Sequence, residues 1–232
     1  FVLVGAFDLD KAKTLVTRYI GGLPSDVSKT FKAVDTGMRP INTSKRVDFA
    51  KGNEPKSTTL LKYTGEIESY DLAEDFKLYL LEEVLKIKLT ESLREQLSGV
   101  YTVGVGTEYA RQPYPNYSIT LTIPSAPENV DALVAAAKKE IEALRSQGPS
   151  LADFAKVKEN YLTGLAIRQK ENSYWLGKLA QFDYDGMDPS LIPEYNRNLL
   201  ANMSLIDLQQ AARRYFNVNH VFEAVLSPEP IP

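Results

Sequence analysis

Between Asp71 and Gly99 the apolar residues fall on two stripes of one helix, and this constrains the fold more than any other feature. Phe76, Leu80, Val84 and Ile87 make one stripe, and Leu81, Leu85, Leu89, Leu93 and Leu97 make a second at i, i+4 spacing. A helix lying on a surface needs only one apolar stripe, so two predict burial around much of the circumference. Asp71, with Glu74 three residues on, supplies a capping-box-like start, and Gly99 is a natural C-terminal stop. Such a helix must be enclosed by other elements.

The flanking sequence supplies them. Phe1 to Phe7 is an apolar run rich in β-branched and aromatic residues, and Asp8 is a good N-cap for a helix from about Leu9 to Ile20, stopped by Gly21-Gly22. That order predicts a buried strand covered by its own helix. Leu23 to Pro40 is polar and turn-rich and reads as a surface connection. Arg46 to Lys51 and Ser57 to Ile67 read as strands separated by Gly52-Asn53-Glu54-Pro55.

After the long helix, Tyr101, Val103 and Val105 alternate with Thr102, Gly104 and Gly106. Beyond the turn signals at Pro113 to Asn116, Ile119, Leu121 and Ile123 alternate with Ser118, Thr120 and Thr122, which predicts an antiparallel hairpin with one buried face. Pro127 suits the first turn of a helix carrying Val130, Val134, Ala137, Ile141 and Leu144. Gly148-Pro149 ends it, and Ser150 with Asp153 starts another, through Phe154, Val157, Tyr161 and Leu165, continuing with a kink past Trp175 and Leu179. Asp183 to Ile192 is a turn-rich bend. Ser204 with Asp207 caps a last helix, and Val221 to Leu226 is a final strand.

Strands in consecutive hairpins rather than repeated βαβ units point to an α+β fold, with helices packed on one face of a mostly antiparallel sheet. No fixed-period repeat or low-complexity linker divides the chain, so residues 1–232 are expected to form a single domain. With 232 residues, 44% of them hydrophobic, a sizeable core is available. The opening Phe1-Val2-Leu3-Val4-Gly5 has neither an initiator Met nor the basic region of a signal peptide, and suggests a domain truncated at its N-terminal edge.

Charge and residue inventory exclude several functions. A formal net charge of −3 gives no broad basic surface, which disfavours nucleic acid and anionic membrane as main partners, and no apolar run reaches the ~20 residues of a membrane span. One His and no Cys cannot supply the usual two-His or three-His zinc sets, so both His-x-x-Glu-His and His-Glu-x-x-His helices are impossible. His220 lies beside Asn219 at the start of the last strand, there is no Gly-x-Ser-x-Gly elbow, and a strand-edge role is the simpler reading. Glu82-Glu83 and Asp8-Asp10 read as solvated helix faces and caps. No Walker-type loop appears.

Arg94 and Tyr101 remain. A cation in a helix's last turn interacts favourably with the dipole, and tyrosine commonly opens a strand. Equally, an Arg and a phenol bordering one turn can together donate to a carbonyl or oxyanion. The residues by themselves leave both readings open.

Several segments resemble the pitrilysin/insulinase family of zinc metallopeptidases (inverzincins), specifically a domain of the C-terminal, non-zinc-binding half of a long bacterial member. They are Phe1 to Asp8 with its helix and Gly-Gly-Leu-Pro ending, Leu93 to Tyr101, Tyr117 to Pro127, Asn172-Ser173-Tyr174-Trp175-Leu176, and Val225 to Glu229. The spacing of seven from Arg94 to Tyr101, with Glu95, Leu97 and Gly99 between them, matches the family motif, although Val100 between Gly99 and Tyr101 departs from the eukaryotic-type pattern.

The resemblance implies two clam-like halves. The N-terminal half holds zinc through His-x-x-Glu-His, while the C-terminal half closes over peptide substrate and supplies an Arg and a Tyr. Arg94 would hold a substrate carbonyl, and Tyr101 would position the scissile carbonyl and stabilise the oxyanion. This segment would be inactive alone, would carry no cofactor itself, and would have as partners the zinc-binding half of the same protein and a peptide. A bacterial periplasmic or envelope location follows from the family alone. The alternative is a non-catalytic scaffold homologue of the same fold, against which the presence of both Arg94 and Tyr101 counts. A freestanding peptide-binding module is disfavoured by the strand-interior start.

Overall fold

Period-two alternation in Ser57–Glu66 and Asn116–Ser125 builds the middle of the sheet. In the computed structural model, which describes residues 1–26, 28, 33–41, 43–96 and 103–229, the side chains of 93–96 excepted, these are β2 and β4. They pair antiparallel over their whole length, from Ser57 opposite Ser125 to Glu66 opposite Asn116. β3 (Gly104–Ala110) pairs antiparallel with β4, as the hairpin pattern predicts. β1 (Lys45–Ala50) and β5 (Val221–Ser227) complete a five-stranded sheet of order β1-β5-β2-β4-β3.

The connection between the first two strands is not a hairpin. β5, from the far end of the sequence, inserts between them, parallel to β1 and antiparallel to β2. The fold is therefore α+β with a mostly antiparallel sheet, and one parallel pair forms one edge. Leu61, Tyr63, Ile119, Leu121, Ile123 and Val225 on one face are almost wholly buried, whereas Thr58, Thr122 and Leu226 on the other are exposed. The helices that touch the sheet within the same compact unit pack on the first face.

The long helix α2 (Leu72–Gln96) is the core element its two stripes predict. Leu80, Leu81, Val84, Leu85 and Leu89 are buried, together with Leu78, which lies outside both stripes. Its start differs from a capping box: Asp71 accepts from the Ala73 N–H at 2.7 Å, but Glu74 turns away to accept from the Tyr215 hydroxyl at 2.6 Å. α3 (Val130–Gln147) buries Leu133, Val134, Ala137, Ile141 and Leu144 and ends at Gly148, whose φ of +78° favours glycine. α7 (Leu205–Tyr215) begins with a true capping box, Ser204 and Asp207 each binding the other's backbone N–H.

The chain divides into two compact units, one of Phe1–Val34 and Tyr161–Arg197, the other of Asp35–Asn160 and Asn198–Pro232. The larger unit holds the sheet with α2, α3 and α7. The smaller holds α1 (Leu9–Tyr19), the second half of α4 (Leu151–Arg168), α5 (Asn172–Asp185) and most of α6 (Ile192–Asn202). Within it the Trp175 indole donates to the Gln169 carbonyl at 2.8 Å, closing the break between α4 and α5, and buried Phe182 meets the Tyr195 ring edge-on at 5.3 Å. α6 lies beyond the bend expected near Asp183 to Ile192.

The expected buried strand at Phe1 to Phe7 is not formed. Asp8 caps α1 through the Lys11 N–H at 2.8 Å, but no described strand pairs with the preceding run, Phe1 and Leu3 are exposed, and α1 has no buried residue. An apolar run becomes a strand only where a neighbour supplies the ladder.

Candidate functional site

The α2-to-β3 passage carries the two residues singled out by the sequence. The Arg94 backbone lies in the last turn of α2, where a cation complements the helix dipole. Its side chain, the helix stop at Gly99 and the whole of Tyr101 lie outside the described residues.

The frame on either side is described. Glu82, about four turns before the end of α2, reaches β3: one carboxylate oxygen accepts from the Thr107 N–H at 2.9 Å and the Thr107 hydroxyl at 2.5 Å. Its other oxygen accepts from Lys86 at 2.6 Å. Burial works against the Lys86 charge, but its bonds to Glu82 and Glu83 outweigh burial and raise its pKa. Glu82 is thus a half-buried clasp between helix and strand rather than part of a solvated face. The one signal available in sequence, its i, i+4 spacing to Lys86, points along the helix and not towards β3.

An aromatic cluster backs this frame. Tyr215 stands edge-on to Tyr117 at 4.8 Å and to Tyr109 at 6.2 Å. Its hydroxyl binds Glu74, which also pairs with Lys77 and with Arg214 at 3.5 Å. Burial opposes the Glu74 charge, but hydrogen bonds from Lys77 and Tyr215 offset it and hold the carboxyl below its ordinary range. Burial pushes the Tyr117 phenol up to about 12. These groups stay neutral or paired near pH 7, which suits a scaffold better than proton transfer.

His220 sits at the mouth of β5, at the end of the sheet where β2 finishes, in a cleft of about 360 Å³ with Thr64, Glu66 and Tyr114. The Arg39 guanidinium stacks over Tyr114 at 3.6 Å and pairs with Asp35 at 2.7 Å and Glu66 at 2.8 Å. Arg39 and the Gly37 N–H hold the Asp35 carboxyl down to about 2. β3 begins beside Thr122, near the opposite end of the strands. His220 is therefore remote from the start of β3.

Among the described residues no three of His, Cys, Asp and Glu stand together as a metal site. With one His and no Cys in the sequence, the donor set does not fit a catalytic zinc. Among the described residues no helix is long and apolar enough to cross a membrane.

A family model described as Peptidase M16 inactive domain matches residues 1–161. No curated protein matches the chain. Among solved structures, the periplasmic protease PqqL from Escherichia coli is similar at 22% identity and a TM-score of 0.78, over 97% of this chain and 25% of PqqL. A protease from Helicobacter pylori is similar at 16% identity and 0.78, over 97% of this chain and 54% of that one. A peptidase M16 inactive domain from Pseudomonas fluorescens is similar at 13% identity and 0.75, over 97% and 52%. At these identities the likeness is one of fold, and the chain spans about a quarter to a half of these proteins.

Proposed function

The chain belongs to the M16 peptidases as one of their inactive domains, and from that membership we propose that it is the substrate-binding, active-site-completing part of a zinc-dependent endopeptidase. The 232 residues act as one C-terminal-half domain. Zinc and the general base belong to an N-terminal half of the same protein, and this half closes over an unfolded peptide.

Arg94 holds a backbone carbonyl of the substrate. Tyr101 positions the scissile carbonyl and donates its phenol to the oxyanion, a contact stronger in the transition state than in the ground state. The observation that carries the reading is that the family match over residues 1–161 takes in both positions. The Glu82 to Thr107 clasp supports it, because it fastens the two elements that flank the passage. PqqL is a periplasmic protease, and the same compartment is proposed for this protein.

Peptide cleavage by the full-length protein tests the reading. Tyr101→Phe removes one oxyanion donor and lowers kcat about a hundredfold or more, and Arg94→Ala raises KM as well as lowering kcat/KM. Both variants keep their zinc content. Wild-type rates in both would sink the proposal and leave the scaffold reading, in which the fold is kept for assembly alone.

A further inference from the structure

The two edges of the sheet are treated differently by the rest of the molecule. At the β3 edge the Thr107 N–H is taken by Glu82. That bond shows that Thr107 points its backbone away from β4, so Glu82 caps a group that another strand would need. At the other edge the Lys51 N–H donates to the Ser227 carbonyl at 2.9 Å, so Lys51 and, by alternation, Phe49 and Val47 face β5. Arg46, Asp48 and Ala50 therefore direct N–H and C=O outward, and no described residue pairs with them there. All three are exposed.

Beside this edge, between β1 and α3, lies a cleft of about 450 Å³. Four of its charged residues pair with one another: Arg46 with Asp131 at 2.8 Å and with Glu223 at 3.0 Å, and Lys138 with Glu223 at 2.7 Å. Val134 and Ala135 supply an aliphatic wall from α3. Directly opposed residues of paired strands share a face. The Arg46 side chain points to the α3 side, so a strand laid along β1 would turn the residue opposite Arg46 towards this cleft.

We propose that the free edge of β1, with its cleft, is a second peptide site that takes an extended, uncharged segment of an unfolded polypeptide by strand addition. Outward N–H and C=O groups recurring every second residue, about 7 Å apart, are matched by an extended backbone, whereas a helix has its own backbone groups satisfied. Arg46, Asp131, Lys138 and Glu223 are paired among themselves, and Lys45, the remaining charged residue of the lining, carries its side chain on the face of β1 opposite Arg46, so Val134, Ala135 and Val221 favour an aliphatic side chain in the cleft. The site is at the opposite edge of the sheet from β3, four strand spacings away, about 19 Å. It does not depend on Arg94 or Tyr101.

The test uses the full-length protein and a labelled hexapeptide alternating valine and threonine, with binding read by fluorescence anisotropy and deuterium uptake read for the segment 45–51. Binding is expected to slow uptake there at least about tenfold. Asp48→Pro deletes one outward N–H and no bond to β5, which an edge strand tolerates. Ala135→Trp, on the exposed side of α3, fills the cleft and leaves the edge intact. Each is expected to weaken binding about tenfold or more, while Tyr101→Phe leaves it unchanged. If Asp48→Pro fails to fold, Ala135→Trp decides. Unchanged binding in the folded variants, uptake at 45–51 indifferent to peptide, or protection there that rises with protein concentration and marks pairing between two copies would overturn the proposal.

Discussion

Gly65 and Tyr117 face each other across β2 and β4, and the Tyr117 ring lies over the glycine. A Cβ placed on Gly65 would come within 2.5 Å of Tyr117 Cε1, closer than side-chain atoms approach. The ring cannot swing away freely, because Tyr215 packs against it. Gly65→Ala is therefore expected to destabilise by about 2 kcal/mol through overpacking, measured by urea unfolding. Tyr117→Leu in the same chain relieves the clash, so the double variant loses less than the sum of the single ones. Strict additivity would show that the ring is not what excludes the Cβ.

Individual residues differ in how far the sequence betrays them. Asp8, Ser204 and Asp207 announce their capping roles because those bonds are local. Glu82, Glu74 and Glu223 do not, because their partners lie 25, 141 and 85 positions away, at Thr107, Tyr215 and Lys138. Arg94 and Tyr101 are marked by a spacing that resembles a family motif, not by any physical signal that separates catalysis from a helix end and a strand start.

At the scale of elements, periodicity identifies what a segment becomes but not what it pairs with. The double stripe of α2 and the alternation of β2, β3 and β4 fix the type of each element, since hairpin pairing and burial follow from local pattern, although the strand read from Tyr101 to Gly106 runs on to Ala110. The insertion of β5 between β1 and β2 is a pairing across more than 170 residues, and nothing in the turn Gly52 to Pro55 forbids a hairpin. The run Phe1 to Val4 fails as a strand for the complementary reason: its composition is right and its ladder is missing. The capping box of α7 offers a direct measure of a local signal. Ser204→Ala removes the side-chain acceptor for the Asp207 N–H, recorded at 3.2 Å, and the hydroxyl bound to the Asp207 carboxylate. A loss of about 1 kcal/mol in chemical denaturation is expected, with Ser204→Asp keeping most of it. An equal loss in both variants would mean that packing, not the cap, starts the helix.

For the molecule as a whole, the buried phenols set an upper pH limit on folding. Burial first of all pushes both Tyr63 and Tyr117 from 10.0 up to about 12, because a phenolate cannot be solvated against the helix-covered face of the sheet. Their folded pKa values lie above the unfolded one, so the unfolded chain gives up its protons first. Stability from these two groups is thus complete below pH 10 and is lost as pH rises from about 10 to about 12. Each phenol can account for up to about 3 kcal/mol across that window. Lys86 and Lys88, whose pKa values are also raised, add to the loss as they deprotonate. The Tyr63→Phe, Tyr117→Phe double variant separates the two contributions, since it keeps the lysine pairs and removes both titrating phenols. Its thermal midpoint is expected to fall less steeply above pH 10 than that of the unsubstituted chain. Parallel profiles for the two proteins would show that these two phenols ionise without unfolding the core, and would leave the alkaline limit to the Tyr109 and Tyr215 phenols, which burial also raises, and to the lysine ion pairs.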